Sequence, residues 1–304
     1  MTNRREFINY AGAAVAALSA PLPLSSFAND LRTLPTRVIP GTDEQLPIVG
    51  LGNSEAFSSG DLELSRELLG IFLDRGGAYV DTSGNGRFTV RQVMRERKAQ
   101  DKLFLGTYVD ATEEQAGLAE LKTVREAQDG EPIDLLLTRN VDDLSSHPDK
   151  FQRWKDEGIT RYVGVARPNK QFYEIMMKMI QADIVDFVQV NYSMLETEAD
   201  DRLLPMARDK GIAVLINRPF INGKYFSVVK GATLPEWAVE FDCHTWAQFS
   251  LKFILAHPAV NCVLTETSNP KHVIDNLSAG LGRLPDEKTR QRMIEVIRGL
   301  PSPS

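Results

Sequence analysis

Four arginines, one aspartate and one tyrosine have the most chemistry to offer in this chain. Arg87, Arg139, Arg167 and Arg218 each fall at or just beyond a short β-rich run. A guanidinium is a planar fork of donors that fits carboxylates and phosphates. Gathered at one face, the four would hold an anionic small molecule. Asp81 closes another such run, Tyr79-Val80-Asp81. It gives Arg139 a competing use, because a buried carboxylate and a guanidinium satisfy each other. Tyr108 either supplies a hydroxyl that Arg139 makes more acidic or simply fills space. Metal chemistry has no support. His147 precedes Pro148, and His244, His257 and His272 lack the i, i+4 spacing and nearby carboxylates of a ligand set. They read as surface or capping residues.

The elements that must position these groups alternate along the chain. Short strands rich in Val, Ile or Leu are read at 47–51, 78–82, 103–109, 133–139, 161–165, 186–190, 213–217 and 261–264. Parallel strands covered by helices look like this. Apolar residues at three- and four-residue spacing predict helices over 62–74, 113–128, 201–210, 245–257 and 286–298. Eight strands, each followed by a helix, predict an α/β fold, a (β/α)8 TIM barrel in one domain. A doubly wound open sheet would need a glycine-rich phosphate loop, and Gly50-Leu51-Gly52-Asn53-Ser54-Glu55 lacks its third glycine. In a barrel the strand C-termini form the functional face. They place Asn53, Asp81, Tyr108, Arg139, Arg167, Gln189, Arg218 and Glu266 together, with Arg87 on the loop above the second strand.

Composition bounds the rest. The chain has 304 residues, 42% apolar and 25% charged, with a net charge of −6, and no basic stripe suits nucleic acid. Past the N-terminus no apolar run reaches the ~18 residues of a membrane span. Residues 1–28 read as a removable segment. Thr2-Asn3-Arg4-Arg5-Glu6-Phe7-Ile8 resembles a twin-arginine export motif, an alanine-rich stretch follows, and Ser26-Phe27-Ala28 suits a signal peptidase. The expectation is a signal peptide at 1–28, a barrel at 29–304 and work in the periplasm. An oxidising compartment permits a disulfide; Cys243 and Cys262 either pair or stay as buried thiols. The tail Pro301-Ser302-Pro303-Ser304 looks unstructured.

Several segments together resemble the aldo-keto reductase family over about residues 36–298. They are Leu46–Gly52, Tyr79–Ser83, Gly158–Val165, Asn217–Phe220, and Ser268-Asn269-Pro270-Lys271-His272 with Asn276. The resemblance implies hydride transfer from a nicotinamide to a carbonyl, without metal. A tyrosine there protonates the alkoxide, a lysine paired with an aspartate tunes it, and a histidine orients the carbonyl. Here the aspartate is Asp81. The tyrosine's position is Gly86, the lysine's is Tyr108, and the histidine's is Arg139. NADP or NAD is the implied cofactor. The resemblance assigns it Gln189, Asn217, Arg218, Thr267, Ser268, His272 and Asn276. Ala166-Arg167 replaces a carboxamide-holding Ser-Asn pair, Asn217 replaces a stacking aromatic, and Glu266 would repel a 2′-phosphate.

Three functions follow as expectations. The first is a barrel without ordinary carbonyl reductase activity, a pseudoenzyme that binds an anionic small molecule or a protein partner. The second is an NAD(P)-dependent oxidoreductase with altered catalytic residues. The third is a lyase or isomerase with Tyr108 as acid and an arginine clamp.

Overall fold

The computed structural model describes residues 33–111, 114–141 and 149–301. The expected signal peptide, His147 and the tail beyond Pro301 lie outside them. The described residues contain ten strands. β1 (Thr36–Val38) and β2 (Gln45–Pro47) form an antiparallel hairpin. The other eight are β3 (Val49–Leu51), β4 (Tyr79–Asp81), β5 (Phe104–Tyr108), β6 (Ile133–Thr138), β7 (Thr160–Ala166), β8 (Phe187–Asn191), β9 (Ala213–Asn217) and β10 (Cys262–Thr265). They close in the order β10-β3-β4-β5-β6-β7-β8-β9, with every neighbouring pair parallel. The predicted (β/α)8 barrel is the fold.

Alternation along each strand decides which side chains face where. Tyr79, Phe104, Leu135, Leu137, Phe187, Leu215 and Cys262 fill the interior. Val80, Leu105, Leu136, Val188 and Ile216 face the helices. Large rings fit inside because small residues oppose them. A Cβ on Gly106 would stand 2.5 Å from the Tyr79 hydroxyl, and one on Gly164 would stand 2.7 Å from the Phe187 carbonyl oxygen. The hairpin plugs the N-terminal end. Leu46 and Ile39 join the interior cluster, and Glu44 accepts from the Tyr162 hydroxyl at 2.8 Å and from Arg161.

The predicted helix at 62–74 is found as Leu62–Asp74, capped by the Asp61 carboxylate on the Leu64 amide. The others fall within two residues of expectation, at Glu114–Ala127, Leu203–Asp209, Trp246–Leu255 and Glu287–Gly299. The first barrel strand is shorter than 47–51, because Pro47 belongs to the hairpin, opposite Thr36. β6 stops at Thr138, one residue before Arg139. Arg87 is not on a loop: it lies in the first turn of the helix Gly86–Glu96. Both cysteines are free and buried. His257 is no surface residue. It is buried, with Nε2 2.7 Å from Asp200 and Nδ1 accepting from the Ala259 amide. No described helix is long and apolar enough to cross a membrane.

Candidate functional site

Inward-facing positions at the strand C-termini carry the polar groups. β4 ends on Asp81, β5 on Tyr108, β9 on Asn217, and β8 presents Gln189 two residues before its end. These four side chains meet. The Tyr108 hydroxyl oxygen lies 2.8 Å from Asp81 Oδ2 and 2.9 Å from Gln189 Oε1. Gln189 Nε2 donates to the same Asp81 oxygen, and Asn217 Nδ2 donates to Gln189 Oε1 at 3.3 Å. Asp81 is 5% exposed. Burial pushes its carboxyl up to about 6, against the pull of the Gln189 and Tyr108 hydrogen bonds and the Arg139 charge. Burial and the Asp81 charge push the Tyr108 phenol well above its ordinary range. Tyr108 therefore keeps its proton at neutral pH.

Arg139 does not neutralise Asp81. Its Nε donates to Asp110 Oδ2 at 2.8 Å, and its own backbone amide donates to Asp110 Oδ1 at 2.7 Å. Half-exposed, it stacks over the Tyr108 ring, 4.7 Å from the centroid. Asp110 is the residue the sequence reading missed. It stands two positions past Tyr108, so strand alternation sends it toward the same mouth.

The Arg139 charge acts on Arg87; the other two arginines have neighbours of their own. Arg167 lies on the Phe172 ring, 4.2 Å from its centre. Arg218 is exposed, with a left-handed backbone at φ 47°, and its charge acts on Glu266. Arg87 stands apart. It is 7% exposed, yet it has no hydrogen bond or ion pair among the described residues, and its Nε is buried without a partner. Burial lowers its pKa, while the charges of Glu120 and Asp110 oppose that and Arg139 adds to it. More unpartnered buried atoms sit at the same strand ends: Arg167 Nε, Asn53 Oδ1, Asn191 Oδ1 and Asn217 Oδ1. Buried polar groups left this way cost 1–3 kcal/mol each unless something meets them. No group of three or more metal-ligating side chains occurs among the described residues.

A separate cavity of about 450 Å³ lies beyond β10, lined by Phe220, Phe226, Trp246, Glu266, Thr267, His272 and Asn276 among others. Ser268 accepts from the Ala56 amide, and Thr267 Oγ1 is 3.4 Å from His272 Nδ1.

Residues 49–293 match the Aldo/keto reductase family. The chain belongs to that family. No curated protein matches it. Among solved structures, it is similar to a Bacillus halodurans aldo-keto reductase in its holo form. Identity is 18%, coverage is 87% of this chain and 96% of that one, and the TM-score is 0.69. A Klebsiella pneumoniae aldo/keto reductase solved with NADP and acetate gives 19% identity, 87% and 96% coverage, and 0.69. An aldo-keto reductase from a deep-sea metagenome gives 16%, 86% and 94%, and 0.68. At these identities the likeness is one of fold.

Whether this family member can hold a nicotinamide cofactor is decided at both ends of the groove. Beyond β10, Asn276, His272 and three aromatic rings suit a flat heterocycle, but no lysine or arginine lines that cavity. Glu266 there is pushed up by burial. At the barrel centre, Gln189 spends its oxygen on Tyr108 and Asn217 and an amide hydrogen on Asp81. One Gln189 amide hydrogen remains for a carboxamide oxygen. The residues present suit the flat rings of the cofactor, and the cavity beyond β10 offers its phosphates no cation.

Proposed function

We propose that this aldo/keto reductase family member is an exported, periplasmic barrel that binds a small organic anion at its C-terminal mouth and lacks ordinary carbonyl reductase activity. The buried, unpaired Arg87 guanidinium carries this reading. A carboxylate or phosphoryl group would pair with its Nη–H groups, which have no described partner. Reduction lacks its proton donor, because Gly86 stands where the resemblance expects tyrosine, and Tyr108 is tied to Asp81 and Gln189.

The test is thermal stabilisation of residues 29–304 by a panel of hydroxy acids and sugar acids or phosphates, in wild type and Arg87→Gln. Stabilisation of several degrees by at least one anion, lost in the variant, is expected. Equal stabilisation of both proteins refutes the role of Arg87.

A second reading keeps an NAD(P)-dependent oxidoreductase. The aromatic cavity with His272 and Asn276 favours it, as does the NADP complex of the Klebsiella protein. Calorimetric titration with NADH and NADPH separates the two. Micromolar binding with turnover of a carbonyl panel establishes the second reading; no binding up to about 1 mM, weaker than about −4 kcal/mol, leaves the first.

A further inference from the structure

The Asp81–Tyr108–Gln189 cluster can be counted proton by proton. The Tyr108 oxygen makes two short oxygen–oxygen contacts, 2.8 Å to Asp81 Oδ2 and 2.9 Å to Gln189 Oε1. A phenol has one proton and can donate in only one of those directions. If Asp81 is ionised, Tyr108 donates to it, and the contact with Gln189 joins two oxygens with no hydrogen between them. If Asp81 is the neutral acid, Asp81 donates to Tyr108 and Tyr108 donates to Gln189. Gln189 Nε2 still donates to Asp81, so every contact is a hydrogen bond.

We propose that this ring holds Asp81 as the neutral acid and thereby makes anion binding at the mouth proton-linked: firm while Asp81 is protonated, weaker once it ionises. The proposal rests on the anion-binding reading above. Its electrostatic logic is short. Asp81 closes β4, Arg87 stands in the first turn of the helix that follows, and the Arg139 charge acts on both; a negative charge on Asp81 therefore opposes an anion drawn to those arginines. The charged and titratable groups facing Asp81 come from several elements. Tyr79 shares its strand, Tyr108 comes from β5 and Arg139 from the end of β6. The Cys262 thiol comes from β10 and Glu266 from just beyond it. Arg139 favours the ionised form but spends its hydrogen bonds on Asp110. Glu266 favours the neutral form. No lysine or arginine pairs directly with Asp81 among the described residues.

The probe is nitrate, a planar anion whose charge does not change between pH 5 and 8. Its dissociation constant is measured at pH 5.0 and 7.5, in wild type and Asp81→Asn. The Asp81 carboxyl carbon is titrated by NMR without ligand, its signal assigned by its loss in the variant. The expected result is an Asp81 titration within this range, with nitrate binding about three- to tenfold weaker at pH 7.5. That pH dependence disappears in Asp81→Asn. Tyr108→Phe gives a second check: it removes the oxygen that accepts the Asp81 proton and passes the chain to Gln189, so the Asp81 midpoint moves down, and a midpoint that moves up overturns the ring. An Asp81 ionised throughout the range overturns the ring. Titration with nitrate affinity equal at both pH values overturns the linkage and leaves the anion site standing. Titration with no nitrate binding at either pH, and no other anion retained by Arg87, overturns the anion-binding reading and the linkage with it.

Discussion

A buried carboxyl held at about 6 has a stability cost that can be measured without knowing any ligand. Its ordinary value is 3.8, so the folded state holds this proton more tightly than the unfolded chain. The sign follows. Below the unfolded value both states are protonated, and the full benefit of the neutral ring is present. As pH rises through the window between the two values, the unfolded chain gives up the proton and the folded protein does not, so stability falls. Above the folded value both states are ionised, and the loss is complete. Two pK units correspond to about 3 kcal/mol in all, of which about 2 kcal/mol falls between pH 4.5 and 7.5. Asp81→Asn cannot ionise. It therefore gains on wild type by about 2 kcal/mol over that interval, whatever its offset at one pH. Urea unfolding of both proteins at pH 4.5, 6.0 and 7.5 gives the comparison, and taking the difference cancels every other titrating group. Parallel stability curves would refute the reasoning, because they would mean Asp81 is ionised in both states or neutral in both.

Two further substitutions test how the barrel is held. Lys252 is fully buried and donates to the carbonyls of Leu281 at 2.7 Å and Arg283 at 3.0 Å. Lys252→Met leaves both carbonyls unpaired and should cost about 2–4 kcal/mol in urea unfolding, with faster amide exchange around 281–283; an unchanged exchange pattern would exclude that role. Gly164→Ala puts a Cβ 2.7 Å from the Phe187 carbonyl oxygen and 2.9 Å from Leu137. Backbone cannot yield as a side chain would, so a loss of about 2–3 kcal/mol is expected, and a midpoint within error of wild type would contradict the packing described.

The fold was legible because burial writes itself into sequence with a fixed period. Runs such as Leu135-Leu136-Leu137 must face both the interior and the helices, and only a covered parallel strand needs that. The hairpin at 36–47 was missed because β1 is largely exposed and β2 only partly covered, so neither carries the apolar run that marks the equally short β3 and β4. The site was legible in its members and not in their pairings. Asp81, Tyr108 and Gln189 were named, but Arg139 was offered to Asp81 as its natural opposite charge. The structure gives Arg139 to Asp110, which is closer to solvent and needs no costly desolvation of an ion pair. Arg87 was grouped with three other arginines by type and by nearness to a strand end. What sets it apart is the absence of a partner, and pairing depends on distances that a sequence does not carry.

The resemblance expects a lysine where Tyr108 stands, and the chemistry of that exchange bears on the state of Asp81. A lysine beside Asp81 would keep the carboxylate ionised by pairing with it. A tyrosine supplies a neutral group that can both donate and accept, so the carboxyl loses its counter-charge and burial drives it to keep its proton. Gln189 then becomes the acceptor that completes the ring. Arg87 is then a buried positive charge without an ion pair among the described residues, and the Nε of half-buried Arg167 is likewise unpartnered. Tyr108→Lys should reverse the first step alone. An ammonium at that position restores an ion pair, so the Asp81 carboxyl should stay ionised down to about pH 4 in an NMR titration. Carbonyl reduction should remain absent, because Gly86 still offers no proton donor. A variant that keeps a midpoint near 6 would show that burial, and not the missing counter-charge, sets the state of Asp81. Reductase activity in that variant would show that lysine alone suffices, and the pseudoenzyme reading would fall.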